Sequence, residues 1–334
     1  MSYLKAIFTK PKTKAKPILN GYQQVTRESN KNTTMEFIVY IILAVLFILG
    51  LTQIAGAQSY KKTFTSNIHY GYSLGVHDTI EQLYCDITAP NNTKLHPLFV
   101  SLHGGGSFIG DKSGGMRPMF DGLVTSLGIT VVYPNYRLGD VNQYKGKSIA
   151  QSTILMWSSM YMMLQDAYSC VNYMLDNPNI YHIDKTQIFI GGVSWGAVGG
   201  VIAVHWQPSE YSILDTMKWR NTSNPDYSFT IAGAICVSGA AFTIPDIDAT
   251  DKPIILCYGG KDNTLKCYGG SNHRCPYIGS CQIFEAGEVY DNPVYPFYIA
   301  SAGHCMKGAT SIETAMNLMQ TKTFIRETLK TLIR

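Results

Sequence analysis

From residue 82 onward the chain alternates short apolar runs with longer stretches of helical period. Leu83–Thr88 reads as a strand closed by Ala89-Pro90, and Leu98–Leu102 as a short strand running into His103-Gly104-Gly105-Gly106. Thr130–Tyr133 stops at Pro134, and Gln187–Ile190 runs into Gly191-Gly192. Ile231–Val237, Pro253–Tyr258 and Val294–Ile299 are further apolar runs. Between them lie a long helical stretch, Gln151–Leu175, and an amphipathic helix that ends the chain, Ser311–Leu332. Strands buried on both faces of a parallel sheet look continuously apolar rather than alternating, and these do. Short apolar runs bounded by Gly and Pro, alternating with helices, predict parallel βαβ units and an α/β class. Two irregular inserts, 206–229 and 239–252, interrupt the pattern, and the first could cover a site.

Upstream the pattern changes. Phe37–Leu51 is an uncharged run of 15 residues followed by Thr-Gln-Ile-Ala-Gly-Ala. An apolar core ending in Ala-x-Ala predicts a secretory signal cleaved after Ala57. Counted through Ala57 the segment reaches 21 residues. That is close to the roughly 20 needed to span a bilayer, so a signal-anchor is the alternative. The expected organisation is a basic extension (1–34), a signal peptide or signal-anchor (35–57) and one catalytic domain (58–334). Met35 is an alternative start. Membrane contact is expected only through the apolar segment, and the body is expected outside the cytoplasm, either secreted or anchored by residues 37–57.

Charge sharpens this division. Of the 27 basic residues, seven lie in residues 1–34, leaving 20 basic against 21 acidic from Gln58 onward. A near-neutral body excludes nucleic acid as a partner, because neutralising phosphates needs a concentrated basic face. With 46% hydrophobic residues the chain can bury a large core. All eight cysteines follow Ala57. Cys85, Cys236 and Cys257 sit within apolar runs and read as small buried hydrophobes. Cys267, Cys275 and Cys281 cluster in a loop, and two of them are expected to form a disulfide. Zinc, with His273 as fourth ligand, fits less well, since seven and five residues separate these cysteines where structural zinc sites use shorter pairs.

The strongest chemical signal is Gly192-Val193-Ser194-Trp195-Gly196, a G-x-S-x-G between an apolar run and a small-residue helix start. A sharp strand-to-helix turn exposes a serine hydroxyl, and glycines on either side permit the close packing. The second signal is the glycine triplet after His103, whose backbone N–H groups can receive the oxyanion formed when a hydroxyl attacks an ester. The plainer readings are a capped βα turn and a flexible loop. No Walker or dinucleotide fingerprint fits here.

With these motifs, Val132-Tyr133-Pro134-Asn135-Tyr136-Arg137-Leu138-Gly139, Gln165-Asp166-Ala167 and Tyr181-His182-Ile183-Asp184, the chain over about 80–334 resembles the α/β-hydrolase family. Within it, the likeness is to the esterase and lipase branch with an HGGG loop. The resemblance implies a mostly parallel central sheet with helices on both faces and a triad in the order Ser, acid, His. Ser194 would be the nucleophile. Asp262 follows the run ending in Tyr258 and Gly259-Gly260-Lys261, and His304 follows the last strand. Asp246, Asp248 and Asp251 precede their strand, while Glu285, Glu288 and Asp291 crowd the last one. His273 lies within the cysteine loop. The oxyanion donors would be Gly105, Gly106 and Trp195. Trp195 departs from the pattern, since a smaller residue usually follows the nucleophile, and its ring would narrow the acyl pocket. Phe108 is a further candidate for the pocket wall. His103, Tyr136 and Arg137 are expected to support loops, and Asp166 to cap or pair along its own helix. The activity implied is hydrolysis of a small carboxylic ester, with no metal or organic cofactor. A serine peptidase of the same fold and a non-catalytic binding member remain the alternatives.

Overall fold

The computed structural model describes residues 59–114, 116–205, 229–242, 252–271 and 275–333. The segment 1–57, most of both inserts, Asp246, Asp248, Asp251 and His273 lie outside them. Eleven strands are found among the described residues, eight of them in one sheet of order β1-β2-β4-β3-β5-β6-β8-β11. Their spans are Lys62–Leu74 (β1), Ile80–Pro90 (β2), His96–Leu102 (β3), Thr130–Pro134 (β4), Ile183–Val193 (β5), Ile231–Val237 (β6), Ile254–Gly259 (β8) and Val294–Ile299 (β11). From β4 to β11 neighbouring strands pair parallel, while β2 pairs antiparallel with both β1 and β4. Ala240–Ala241 (β7), Gly270–Ser271 (β9) and Pro276–Gly279 (β10) form a small second sheet, order β7-β10-β9.

The helices are Arg117–Leu127 (α1), Ile149–Asp176 (α2), Pro178–Tyr181 (α3), Trp195–His205 (α4), Ser280–Tyr290 (α5) and Ser311–Leu332 (α6). They split over the two sheet faces, giving two apolar layers. Leu98, Val100 and Ile190 face Met160, Met163 and Val171 of α2 and Val201 of α4. Phe99, Val131 and Ile235 face Phe120 and Leu123 of α1 and Ile325 and Leu329 of α6. Strand β3 is buried along all seven residues, which accounts for the apolar run within it. Helix α2 begins with a full capping box, Ser148 and Gln151 each satisfying a backbone N–H of the other.

Two expectations change here. Asp166 does not pair along its helix. It receives the Arg137 guanidinium across the core, Nη2 to Oδ1 at 2.8 Å, with both side chains fully buried, and also the Arg137 backbone N–H at 2.7 Å. Arg137 reaches further, to the Leu74 carbonyl and Gln165 Oε1 at 2.9 Å each. A buried ion pair persists only when its remaining lone pairs and protons are satisfied, and this network satisfies them. Phe108 packs edge-on against Tyr144 at 5.1 Å between ring centres and lines a cavity beside Tyr136 and Leu138 rather than the one at Ser194. The cysteine loop is closed by a Cys267–Cys281 disulfide, which leaves Cys275 buried outside the bridge.

Candidate active site

The strand ends set the site. Ser194 is the single residue between β5 and α4, and its φ of 54° is left-handed, rare outside glycine. The turn is this tight because β5 hands directly to α4, whose Val198 N–H donates to the Ser194 carbonyl at 3.0 Å. A Cβ on Gly196 would collide with the Leu102 carbonyl of β3, so the glycine after Trp195 is required by packing.

Asp262 follows the C-terminal end of β8 and His304 that of β11. His304 Nδ1 lies 2.8 Å from Asp262 Oδ2, and His304 Nε2 lies 2.9 Å from Ser194 Oγ. One tautomer satisfies both contacts: Nδ1–H donates to the carboxylate and the serine hydroxyl donates to Nε2. The other Asp262 oxygen receives the N–H groups of Thr264 and Leu265 at 2.9 and 2.8 Å, which fixes the carboxylate plane. The three residues singled out in the sequence therefore form one unbroken hydrogen-bonded chain. Glu285 and Glu288 instead sit on α5, with Asp291 at its C-terminal cap.

Two opposing effects act on His304. Burial disfavours the charged imidazole. The hydrogen bond to Asp262, the adjacent Cys305 and the charge of Asp262 outweigh it, and the imidazole is pushed up to about 9. An imidazole so placed takes up a proton readily and holds it while charged.

Gly106, Ser194 and Trp195 border one cavity of about 280 Å³ whose other walls are Met156, Val198, Ala240, Phe242, Thr264, Leu265 and Tyr277. Among the described residues no charged side chain lines it. Trp195 is only 3% exposed, lines this cavity and packs against Phe242 at 5.5 Å between ring centres. Gly105, next to Gly106, also borders a second cavity of about 270 Å³ with Ile109, Lys112 and Arg117. Its φ of 117° is open to glycine, and a Cβ there would strike the Ile109 carbonyl.

His103 does support this loop. Its ring stacks on Tyr136 at 4.2 Å between centres, Nδ1 sits 2.7 Å from the Gly104 carbonyl, and Tyr136 Oη donates to the His103 carbonyl at 2.8 Å. Arg117 and Lys112 hold the far end of the loop to Asp86 of β2 at 2.8 and 2.9 Å. Sequence reasoning passed over Asp86 and Ser238, neither of which belongs to a spaced motif.

A mostly parallel sheet flanked by helices, with a serine elbow after β5, an acid after β8 and a histidine after β11, is the α/β-hydrolase fold. Solved structures share it. An esterase from the planctomycete Thermogutta terrifontis, bound to propionate, superposes with a TM-score of 0.57 at 15% identity, over 83% of this chain and 96% of that one. Its apo form gives 0.56 at 16% identity, over 83% and 96%. The same esterase phosphorylated by paraoxon gives 0.54 at 15% identity, over 79% and 94%. No family model matches the sequence, and no curated protein matches it.

Proposed function

We propose that this protein is a serine hydrolase of the esterase and lipase branch that cleaves carboxylic esters through an acyl-enzyme. The observation that carries the reading is the continuous chain Asp262–His304–Ser194, with both bonds under 3 Å. Ser194 Oγ attacks the ester carbonyl as His304 Nε2 takes its proton. Asp262 holds the imidazole tautomer and stabilises the imidazolium that forms. Backbone N–H groups of Trp195, Gly106 and Gly105 receive the developing oxyanion. His304 then returns the proton to the leaving alcohol, and water, activated by the same imidazole, releases the acid. The uncharged walls of the cavity at Ser194 suit an apolar acyl group. Helix α4 begins at Trp195, so its N-terminal end favours negative charge where the oxyanion arises.

The Thermogutta esterase supports this reading, since it is known bound to propionate and phosphorylated by paraoxon. The Cys267–Cys281 bridge and the apolar run before Ala57 support export to an oxidising compartment. Among the described residues no helix is long and apolar enough to cross a membrane.

The test is to treat the protein with paraoxon, map the added phosphoryl group by peptide mass spectrometry and follow hydrolysis of short-chain aryl esters. Modification at Ser194 with parallel loss of turnover is expected. Turnover that survives Ser194→Ala sinks the reading.

A further inference from the structure

Four strands that neighbour one another, β5, β6, β8 and β11, end along one side of the sheet. Three of those ends lead to Ser194, Asp262 and His304. The fourth leads to Ser238, the residue after Val237 of β6. Ser238 is 1% exposed. Its N–H donates to the Cys257 carbonyl of β8 at 2.7 Å, and its Oγ accepts the N–H of Cys305 at 2.9 Å. Cys305 is the residue after His304. One residue earlier, the Val237 carbonyl accepts the Ser194 N–H at 2.9 Å. The dipeptide Val237-Ser238 therefore grips the backbone of Ser194 with one group and the backbone beside His304 with the other.

The conformation adds a second observation. Ser238 has a φ of 54° and Cys305 a φ of 56°. Such conformations are costly for a non-glycine residue and persist where the surroundings enforce them, often at functional sites. Glycine would relieve Ser238 at no steric cost. What serine has and glycine lacks is the hydroxyl, and that hydroxyl is spent on the turn carrying His304. Besides the imidazole's own bonds to Asp262 and Ser194, the other bonds of this turn among the described residues are made within it or to α6: Gly303 N–H to the Lys307 carbonyl at 2.6 Å, Lys307 N–H to the His304 carbonyl at 3.3 Å, and Asn317 Nδ2 to the Met306 carbonyl at 3.3 Å. Of its backbone groups, only the Cys305 N–H is bonded to a strand end among the described residues.

We propose that Ser238 is a positioning residue whose hydroxyl clamps the Cys305 N–H and so sets His304 at bonding distance from Ser194. The proposal rests on the ester-hydrolase reading. It differs from a packing role in a way that two variants separate. Ser238→Gly frees the backbone and removes the acceptor. Ser238→Thr keeps the acceptor and strains the backbone, because β-branched residues fit positive φ poorly.

The experiment measures kcat, KM and melting temperature for wild type and both variants on one short-chain aryl ester, with active sites counted by paraoxon titration. Ser238→Gly should lower kcat about tenfold to hundredfold with KM within about twofold, at unchanged or higher melting temperature. Ser238→Thr should melt lower yet keep most of its kcat per titrated site. A packing role orders the two the other way. Should Ser238→Thr fail to fold, Ser238→Gly alone decides. A folded Ser238→Gly protein with wild-type kcat overturns the proposal and leaves the hydrolase reading standing. A wild type that neither hydrolyses esters nor takes up the phosphoryl group overturns both.

Discussion

At the scale of single residues the candidate site depends on who can hold a proton, and where. Ser194→Ala removes the atom proposed to attack, so ester turnover should fall by about 10³–10⁶-fold while the fold persists, as circular dichroism run beside the assay would show. Asp262→Asn keeps the shape but offers His304 an amide in place of an anion. Turnover should drop on the order of 10²–10⁴-fold because the wrong tautomer is favoured. The ascending limb of its pH profile should also move below that of wild type, since Asn cannot favour the charged imidazole as Asp262 does. An unshifted limb in a variant with full activity would show that another acid orients His304. Ser194 was legible from its G-x-S-x-G turn between an apolar run and a small-residue helix start, His304 because it follows the last strand, and Asp262 because rival acids precede their strand or crowd the last one. Ser238 was not. It acts through Cys305, 67 residues away, and a lone serine after a strand carries no spacing that points there.

At the scale of elements, legibility followed the apolar runs. The buried strands β3, β4, β6 and β8 were readable as apolar runs, with ends within two residues of those found. Strand β1 was missed because it is an exposed edge strand with a polar outer half and two register shifts. Helix α1 starts without a side-chain cap, and α5 starts at Ser280 behind Gly279 inside the cysteine loop, so neither has an N-cap side chain that announces its beginning. Two contacts between elements give checkable energies. Arg137→Met would leave Asp166 buried beside an apolar chain, and breaking such a pair costs about 3–5 kcal/mol. Urea unfolding should show a loss of that size with m unchanged. The Cys267–Cys281 bridge spans a separation of 14 residues. In the chain-entropy model a loop of that size contributes about 3 kcal/mol, which Cys267→Ala should forfeit. Mass mapping of unreduced peptides from protein made in an oxidising compartment should recover this pair.

At the scale of the whole molecule, pH separates activity from folding. In the proposed mechanism His304 is the general base and must be neutral, and its imidazole is pushed up to about 9. Ester hydrolysis should therefore climb from neutral into mildly alkaline pH and level off only above that value. The fold has the opposite preference at this residue. A histidine raised above its ordinary value contributes stability that is complete below about 6.5 and is lost as pH rises through about 9. The carboxylates act at the other end. Burial opposes the charge on Asp86, but hydrogen bonds from Lys112, the Asn67 N–H and Arg117 outweigh it and hold Asp86 below the usual range. Asp111 is lowered by hydrogen bonds it accepts from Ser113, and Asp184, although burial opposes its charge, by those it accepts from Thr186 and Gln187. Their stabilisation is present above the ordinary carboxylate value and fades only as pH falls below it. Glu81, which burial raises, offsets a part of that loss. Between about pH 5 and 7 the protein should thus be folded and nearly inactive, with its imidazole charged and its carboxylates still paired. Following kcat/KM for a soluble aryl ester together with far-ultraviolet circular dichroism from pH 4 to 10 tests this directly. The activity limb should centre well above 6.5 while the folding signal stays flat across it. Loss of both signals in one transition would mean that unfolding, not protonation of His304, silences the site.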